Sequence, residues 1–182
     1  MFIVIEGVDR IGKSTQCKML AERLPNVFLM SSPDRTLHTG RLIDAFLRKE
    51  INLAPDVIQL LFAANRREQQ ATIRAKLDEG KIVVCDRYIY SAIAYGVATG
   101  LDPKWCKKID SALIEPDIVF YLWATDKHIA TRQQDGERYS NIDTQIAVSK
   151  NFDQLIKKNW RMICAEMDRE TIHEKIISYI DP

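Results

Sequence analysis

The sequence has no long apolar run, no closely spaced cysteine pair and almost no net charge, and each of these shortages excludes a class of protein. Its 182 residues carry 26 Lys+Arg against 25 Asp+Glu, a formal charge of +1. That balance is unlike the basic sheath of a protein that wraps nucleic acid, so no nucleic-acid partner is expected and any polyanion must meet a focused pocket. The four cysteines, Cys17, Cys85, Cys106 and Cys164, are scattered without C-x-x-C spacing and read as reduced thiols of an intracellular protein. Met1 to Glu6 has no basic region and reaches a carboxylate after a few apolar residues, too few for a signal peptide or a membrane span. The expected location is therefore the cytoplasm, or also a nucleus, with no membrane partner. His38, His128 and His173 show no metal-ligand spacing, and His173-Glu174 has no second histidine to complete a zinc helix.

Present instead are short apolar runs alternating with longer helical stretches, 46% hydrophobic and 28% charged residues, and enough chain for one large core. The alternation predicts an α/β fold: a five-stranded parallel sheet flanked by helices in three layers, as a single domain. Strands are expected at Phe2–Ile5, Val27–Met30, Ile82–Cys85, Ile118–Leu122 and Trp160–Cys164. Helices are expected at Lys13–Leu24, Thr39–Lys49, Asp56–Glu79, Pro103–Ile114, Asp126–Gln133, Asp143–Lys158 and Asp168–Tyr179. The polar run at 133–142 reads as a lid.

Gly7-Val8-Asp9-Arg10-Ile11-Gly12-Lys13-Ser14 matches G-x-x-x-x-G-K-[ST] between the first strand and the first helix. Such a loop curls its N–H groups around phosphate oxygens, adds the positive end of a helix, sends Lys13 to the β- and γ-phosphates and offers Mg²⁺ the Ser14 hydroxyl. Gly7, Arg10, Gly12, Lys13, Ser14 and Thr15 are thus the expected ATP-binding set in a P-loop NTPase fold. No Asn-Lys-x-Asp element supports a guanine-nucleotide switch, and the chain is short for a motor.

Further clusters imply a second, phosphorylated substrate. Ser32-Pro33-Asp34-Arg35 and Asp86-Arg87-Tyr88 follow the second and third strands, where open α/β sheets bind ligands, and arginine forks grip phosphate. Ion pairs of Arg35 with Asp34 and of Arg87 with Asp86 are the plain alternative. Asp86, at the end of a buried strand beside the phosphate loop, is a candidate Mg²⁺ ligand with Ser14. Phe62 and Arg66 lie one helical turn apart and suit a planar base, the ring stacking and the guanidinium donating. Arg132 and Arg138 flank the polar loop and are candidates to close over the transferring phosphoryl group.

These residues together resemble the thymidylate kinase family, in its cellular eukaryotic and poxvirus-like branch. The resemblance runs through the phosphate loop from Glu6 to Gln16, Pro33-Asp34-Arg35 with Gly40, Leu60 to Arg66, Asp86-Arg87-Tyr88 with Ser91, Glu115-Pro116-Asp117, and Glu137-Arg138-Tyr139. It implies MgATP-dependent phosphorylation of dTMP to dTDP by a homodimer. It also implies Asp9 near the acceptor's sugar and phosphate and Arg10 near the transferring phosphate. By the same resemblance Arg35 and Arg87 form the acceptor-phosphate grip and Phe62 is the stacking ring. Arg66 becomes the donor to the pyrimidine oxygen, Gln145 a second base contact, Ser91 a further substrate contact, Tyr139 the ring that disfavours a 2′-hydroxyl, and Arg132 the lid arginine. The chain departs from the family at Ser32 before Pro33, at Arg67 and at Ala92. Rival readings are a kinase for another deoxynucleotide or a nucleoside, and a nucleotide-binding regulatory protein that has lost transfer.

Overall fold

The computed structural model describes residues 1–131 and 136–180. Five strands form one all-parallel sheet: β1 (Phe2–Glu6), β2 (Val27–Ser31), β3 (Ile82–Asp86), β4 (Ile118–Trp123) and β5 (Trp160–Cys164), in the order β2-β3-β1-β4-β5. The apolar runs at the centre need no alternation because helices cover both sides: all five residues of β1 are buried, as are Val83 to Cys85 and Val119 to Leu122.

After β1 the chain runs through α1 (Lys13–Arg23) to the edge strand β2, and after β3 it runs the other way to β4. Right-handed crossovers then put α1 on one face with α8 (Arg169–Ile180), and put α3 (Pro55–Asp78), α4 (Ile89–Ala98) and α7 (Ile142–Asp153) on the other. The reversal opens a crevice at the carboxyl ends of β1 and β3. Ile5 pairs with Asp86 and Ser31 pairs with Asp86, so the loops leaving β1, β2 and β3 start at one level.

Beside this main core stands a smaller one, in which Ile43, Phe46 and Leu47 of α2 (His38–Leu47) pack on Ile58 of α3, with Phe62 and Tyr139 at its margin. Gly40 allows that packing, since a Cβ there would stand 1.9 Å from the Asp34 carbonyl oxygen.

All five expected strands are present, within a residue or so at their ends. The helices differ more. Residues 89–98, where the sequence pattern predicts no element, form α4. Seven of its ten residues are buried, so Ile-Tyr-Ser-Ala-Ile-Ala-Tyr-Gly-Val-Ala shows no apolar stripe against a polar face. The helix expected at Pro103–Ile114 stops at Ile109, forming α5 (Pro103–Ile109). Asp110 turns its carboxylate inward, and the next residues form tight turns back to Lys108 and Asp110. The one expected to reach Lys158 stops at Asp153, where Leu155 N–H turns back to the Phe152 carbonyl and its side chain enters the core. A short α6 (Asp126–Thr131) follows β4.

Candidate functional site

The loop after β1 wraps the amino end of α1. Gly7 has φ 148°, and a Cβ there would meet the Leu122 carbonyl oxygen at 2.6 Å; Gly12 has φ 105° and Arg10 φ 57°. Left-handed angles at these positions make a concave run of backbone, the geometry that a chain of phosphates needs. Lys13 is buried and donates to the Val8 carbonyl at 2.6 Å, so it is drawn across the mouth of its own loop. Burial and the nearby Arg87 charge bring its ammonium down to about 8, against the pull of Asp86, Asp9 and Glu6.

Ser14 donates its hydroxyl to Asp86 Oδ2, while Asp86 Oδ1 is buried without a hydrogen-bond partner. A buried carboxylate oxygen without a donor, next to a hydroxyl at the start of a phosphate-binding helix, fits a hard divalent cation held directly or through water. The expected Ser14 and Asp86 pair is thus brought together.

Arg87 leaves the end of β3 in a left-handed conformation, φ 66°. Its Nη1 donates to the Gly7 carbonyl at 2.7 Å and to Ser91 Oγ at 3.0 Å, its Nη2 contacts Asp9 Oδ1, and its plane lies 5.4 Å from the Tyr95 ring centre. Its partner is Asp9 rather than Asp86. Burial disfavours the charged Asp9, but the Arg87 and Lys13 charges and hydrogen bonds from Tyr95 and Gln145 outweigh it and hold the carboxyl below its usual range.

Arg35 pairs with Asp44 at 2.7 Å and with both Glu137 carboxylate oxygens, at 2.7 and 3.1 Å. The expected alternative partner, Asp34, instead accepts from the Thr36 N–H and hydroxyl. A phosphate that takes Arg35 therefore has to replace the Glu137 carboxylate, which already occupies the fork as an oxyanion would.

One cleft is lined by Asp9, Arg35, Phe62, Arg66, Arg87 and Tyr139. Ser91 and the two departures Ser32 and Ala92 also reach its wall, whereas Arg67 is exposed elsewhere on α3. Six substrate residues expected from five separate stretches thus share one space, beside the phosphate loop. Thr15 and Ser14 sit exposed on the first turn of α1, and Arg10 is exposed on the loop.

Two expectations are corrected. Gln145 does not face the cleft as a base contact: its Oε1 accepts from Asp9 N–H at 2.7 Å and Tyr95 hydroxyl at 3.2 Å, and its Nε2 donates to Asp9 Oδ2 and the Tyr139 carbonyl, both at 2.7 Å. That uses every donor and acceptor of the amide, so Gln145 holds Asp9 and nothing is left for a base. Arg138 does not point at a phosphate. Its guanidinium donates to the carbonyls of Phe46 and Ile51 and to Asn52, 4.1 Å above the Phe46 ring, and pins the lid's end to α2. Arg132 and the lid through residue 135 lie outside the described residues.

Several residues went unread. Glu6 is fully buried and accepts from Tyr88 N–H at 3.0 Å, Ser91 N–H at 3.1 Å and the Ser91 hydroxyl, which fixes the start of α4 and the turn carrying Arg87. A carboxylate ending an otherwise apolar strand was its only signal. Tyr95 was lost with α4. Asp110 carried none.

A sheet whose reversal point holds a phosphate loop, with a second cleft of guanidinium groups alongside, defines a P-loop NTPase fold built to bring two phosphorylated ligands together. The comparisons narrow it. The family model described as thymidylate kinase matches residues 5–176. The chain is 40% identical over 189 residues to the thymidylate kinase of Schizosaccharomyces pombe, covering 98% of this chain and 90% of that one. It is 38% identical over 183 residues to the human thymidylate kinase, covering 96% and 86%. A solved thymidylate kinase from Candida albicans superposes with a TM-score of 0.89 at 30% identity, over 99% of this chain and 90% of the other. The chain belongs to the thymidylate kinase family.

Proposed function

We propose that this chain transfers the γ-phosphoryl group of ATP to dTMP, giving dTDP and ADP. The observation that carries the reading is the cleft beside the phosphate loop, where Phe62, Arg66, Arg35 and Arg87 offer a stacking ring, a base donor and two phosphate forks in one space.

The acceptor phosphate has a second pKa of about 6 and is largely dianionic at neutral pH. No base is needed to make it a nucleophile. The work lies in bringing two mutually repelling polyanions into line. Gly7, Gly12, Ser14 and Thr15 cradle the donor phosphates with backbone and hydroxyl groups. Lys13 leaves the Val8 carbonyl for the β- and γ-phosphates, and Arg10 sits at the transferring group. Asp9, steadied by Gln145, holds Arg87 so that its fork faces the acceptor phosphate, and Arg35 exchanges Glu137 for the same phosphate. Ser91 sets Arg87 from behind. Tyr139, packed on Phe46 and Tyr95, narrows the sugar end of the cleft, which favours deoxyribose. Arg132 and the 133–142 lid close over the reacting groups and exclude water. Ser14 and Asp86 would hold Mg²⁺, which when bound neutralises phosphate charge.

The chain is read as a single-domain homodimer of the cytoplasm. Leu42, Val57 and Leu60, exposed on α2 and α3, support an association face, and no helix among the described residues is long and apolar enough to cross a membrane. The test is incubation with MgATP and a panel of nucleoside monophosphates and free nucleosides. Diphosphate from dTMP well ahead of the rest is expected. Phosphorylation of thymidine instead, or no consumption of ATP with any acceptor, refutes the reading.

A further inference from the structure

Arg66 is an unusual group to find on a ligand cleft, because its side chain is only 2% exposed and one edge of its guanidinium is already taken. Nε donates to Asp110 Oδ1 at 3.1 Å and Nη2 donates to Asp110 Oδ2 at 2.7 Å, a two-point pairing between α3 and the residue that ends α5. The carboxylate is equally buried, at 2%. Among the described residues Nη1 carries no hydrogen bond.

A fork held at two points cannot swivel. Asp110 thus fixes which guanidinium nitrogen meets the ligand, and in which direction. The atom so presented is a donor only, since arginine has no acceptor and stays charged. It suits a carbonyl at the far edge of a pyrimidine and opposes an amino group there, whose hydrogens would face its own. The turn that carries Asp110 is itself tied down, for Ile114 N–H donates to Gln70 Oε1 at 2.8 Å, and Gln70 donates in turn to Tyr88, another cleft residue.

We infer that Asp110 is a specificity-determining positioning residue: it touches no ligand, but by orienting Arg66 it makes the cleft select a 4-carbonyl pyrimidine monophosphate over a 4-amino one. This rests on the dTMP kinase reading, and its test keeps the two apart. The measurement is the ratio of kcat/KM for dTMP to kcat/KM for dCMP, in wild type and in Asp110→Asn. Asparagine keeps the shape but can accept at one oxygen only, so the fork loses its second tether. We expect the ratio to fall about tenfold, a small part of the roughly 10⁴–10⁵-fold by which a site built around a hydrogen bond can discriminate, because Arg66 itself remains, and to do so through a higher KM for dTMP with KM for ATP unchanged.

Simple loosening of the fold lowers both acceptors alike and leaves the ratio where it was, and that result overturns the inference. Asp110→Glu, which retains the buried charge but displaces it by one methylene, should lower the ratio as well and serves if the asparagine variant does not fold. If neither folds, the pair is structural and the inference falls. Absence of transfer to dTMP in wild type would instead refute the reading of the reaction.

Discussion

At the scale of single residues, the site is governed by charges that hold one another until a nucleotide arrives. Lys13 rests on a backbone carbonyl, Arg87 on Asp9 and Arg35 on Glu137, so each cation is already aimed; in the proposed reaction Lys13 and Arg35 exchange their partners for phosphate while Asp9 keeps Arg87 in place. Lys13→Ala or Arg87→Ala should lower turnover roughly 10²–10⁴-fold in folded protein, the range such electrostatic contacts supply. Steady-state kinetics on variants with unchanged circular dichroism checks this. Asp9 carries a pH signature. Arg87 and Lys13 stabilise its charged form against burial, with Tyr95 and Gln145 as hydrogen-bond partners. A carboxyl depressed in the folded state contributes stability that is fully present above its unfolded value and is lost as pH falls through the folded one. Wild type should therefore melt above Asp9→Asn at neutral pH, and the gap should close below the ordinary aspartate value of 3.8. Melts across that range decide it. Residue types and spacing gave Arg35, Arg87 and Phe62 their place, because each sits just past a strand end or one turn from a partner, and the G-x-x-x-x-G-K-S motif gave Lys13; Tyr139 was legible only through the family resemblance. The resemblance misplaced Gln145, whose amide is spent on Asp9, 136 positions away, as well as on Tyr95 and Tyr139, and spacing misplaced Arg138, whose partners lie 86 to 92 positions away. No local pattern encodes such a contact.

Among the elements, the strands were legible because a strand buried on both faces is a bare apolar run bounded by charge, and Ile-Val-Val-Cys before Asp86-Arg87 is the clearest case. α4 was illegible for the complementary reason. It is buried nearly all round and rich in β-branched and aromatic residues, so neither period nor propensity marks it. Yet α4 carries Ser91 and Tyr95, and its first turn is capped by Glu6, so part of the site was lost with it. α2 has its own constraint at Gly40, whose missing side chain lets the helix sit on the Asp34 backbone beside Arg35. Gly40→Ala should push α2 off that loop, costing about 1–3 kcal/mol of stability as other overpacked positions do. It should also raise KM for dTMP more than KM for ATP, since the displaced segment carries Arg35 and Asp44 but not the phosphate loop. Urea titration and substrate-dependent kinetics test the two parts.

For the whole molecule, near-neutral charge conceals a polarised interior in which cations from distant stretches converge at one reversal point of the sheet. Binding there should stabilise the fold by mass action. A ligand at 100 times its Kd adds about 2.7 kcal/mol, or roughly 5–10 °C of Tm for a chain of this size. dTMP should raise Tm by such an amount and thymidine at the same concentration by much less, because only the nucleotide offers Arg35 and Arg87 an anion. EDTA should abolish transfer while leaving the dTMP shift intact, because the Ser14 and Asp86 pair lies with the donor. Differential scanning calorimetry with and without chelator follows both. The most direct trial of the central claim is a crystal structure of the protein with MgADP and dTMP together. The account predicts the dTMP phosphate on Arg35 and Arg87, with Glu137 displaced from Arg35 and Lys13 on the ADP β-phosphate. A dTMP phosphate bound elsewhere, with Arg35 still closed on Glu137, would contradict it.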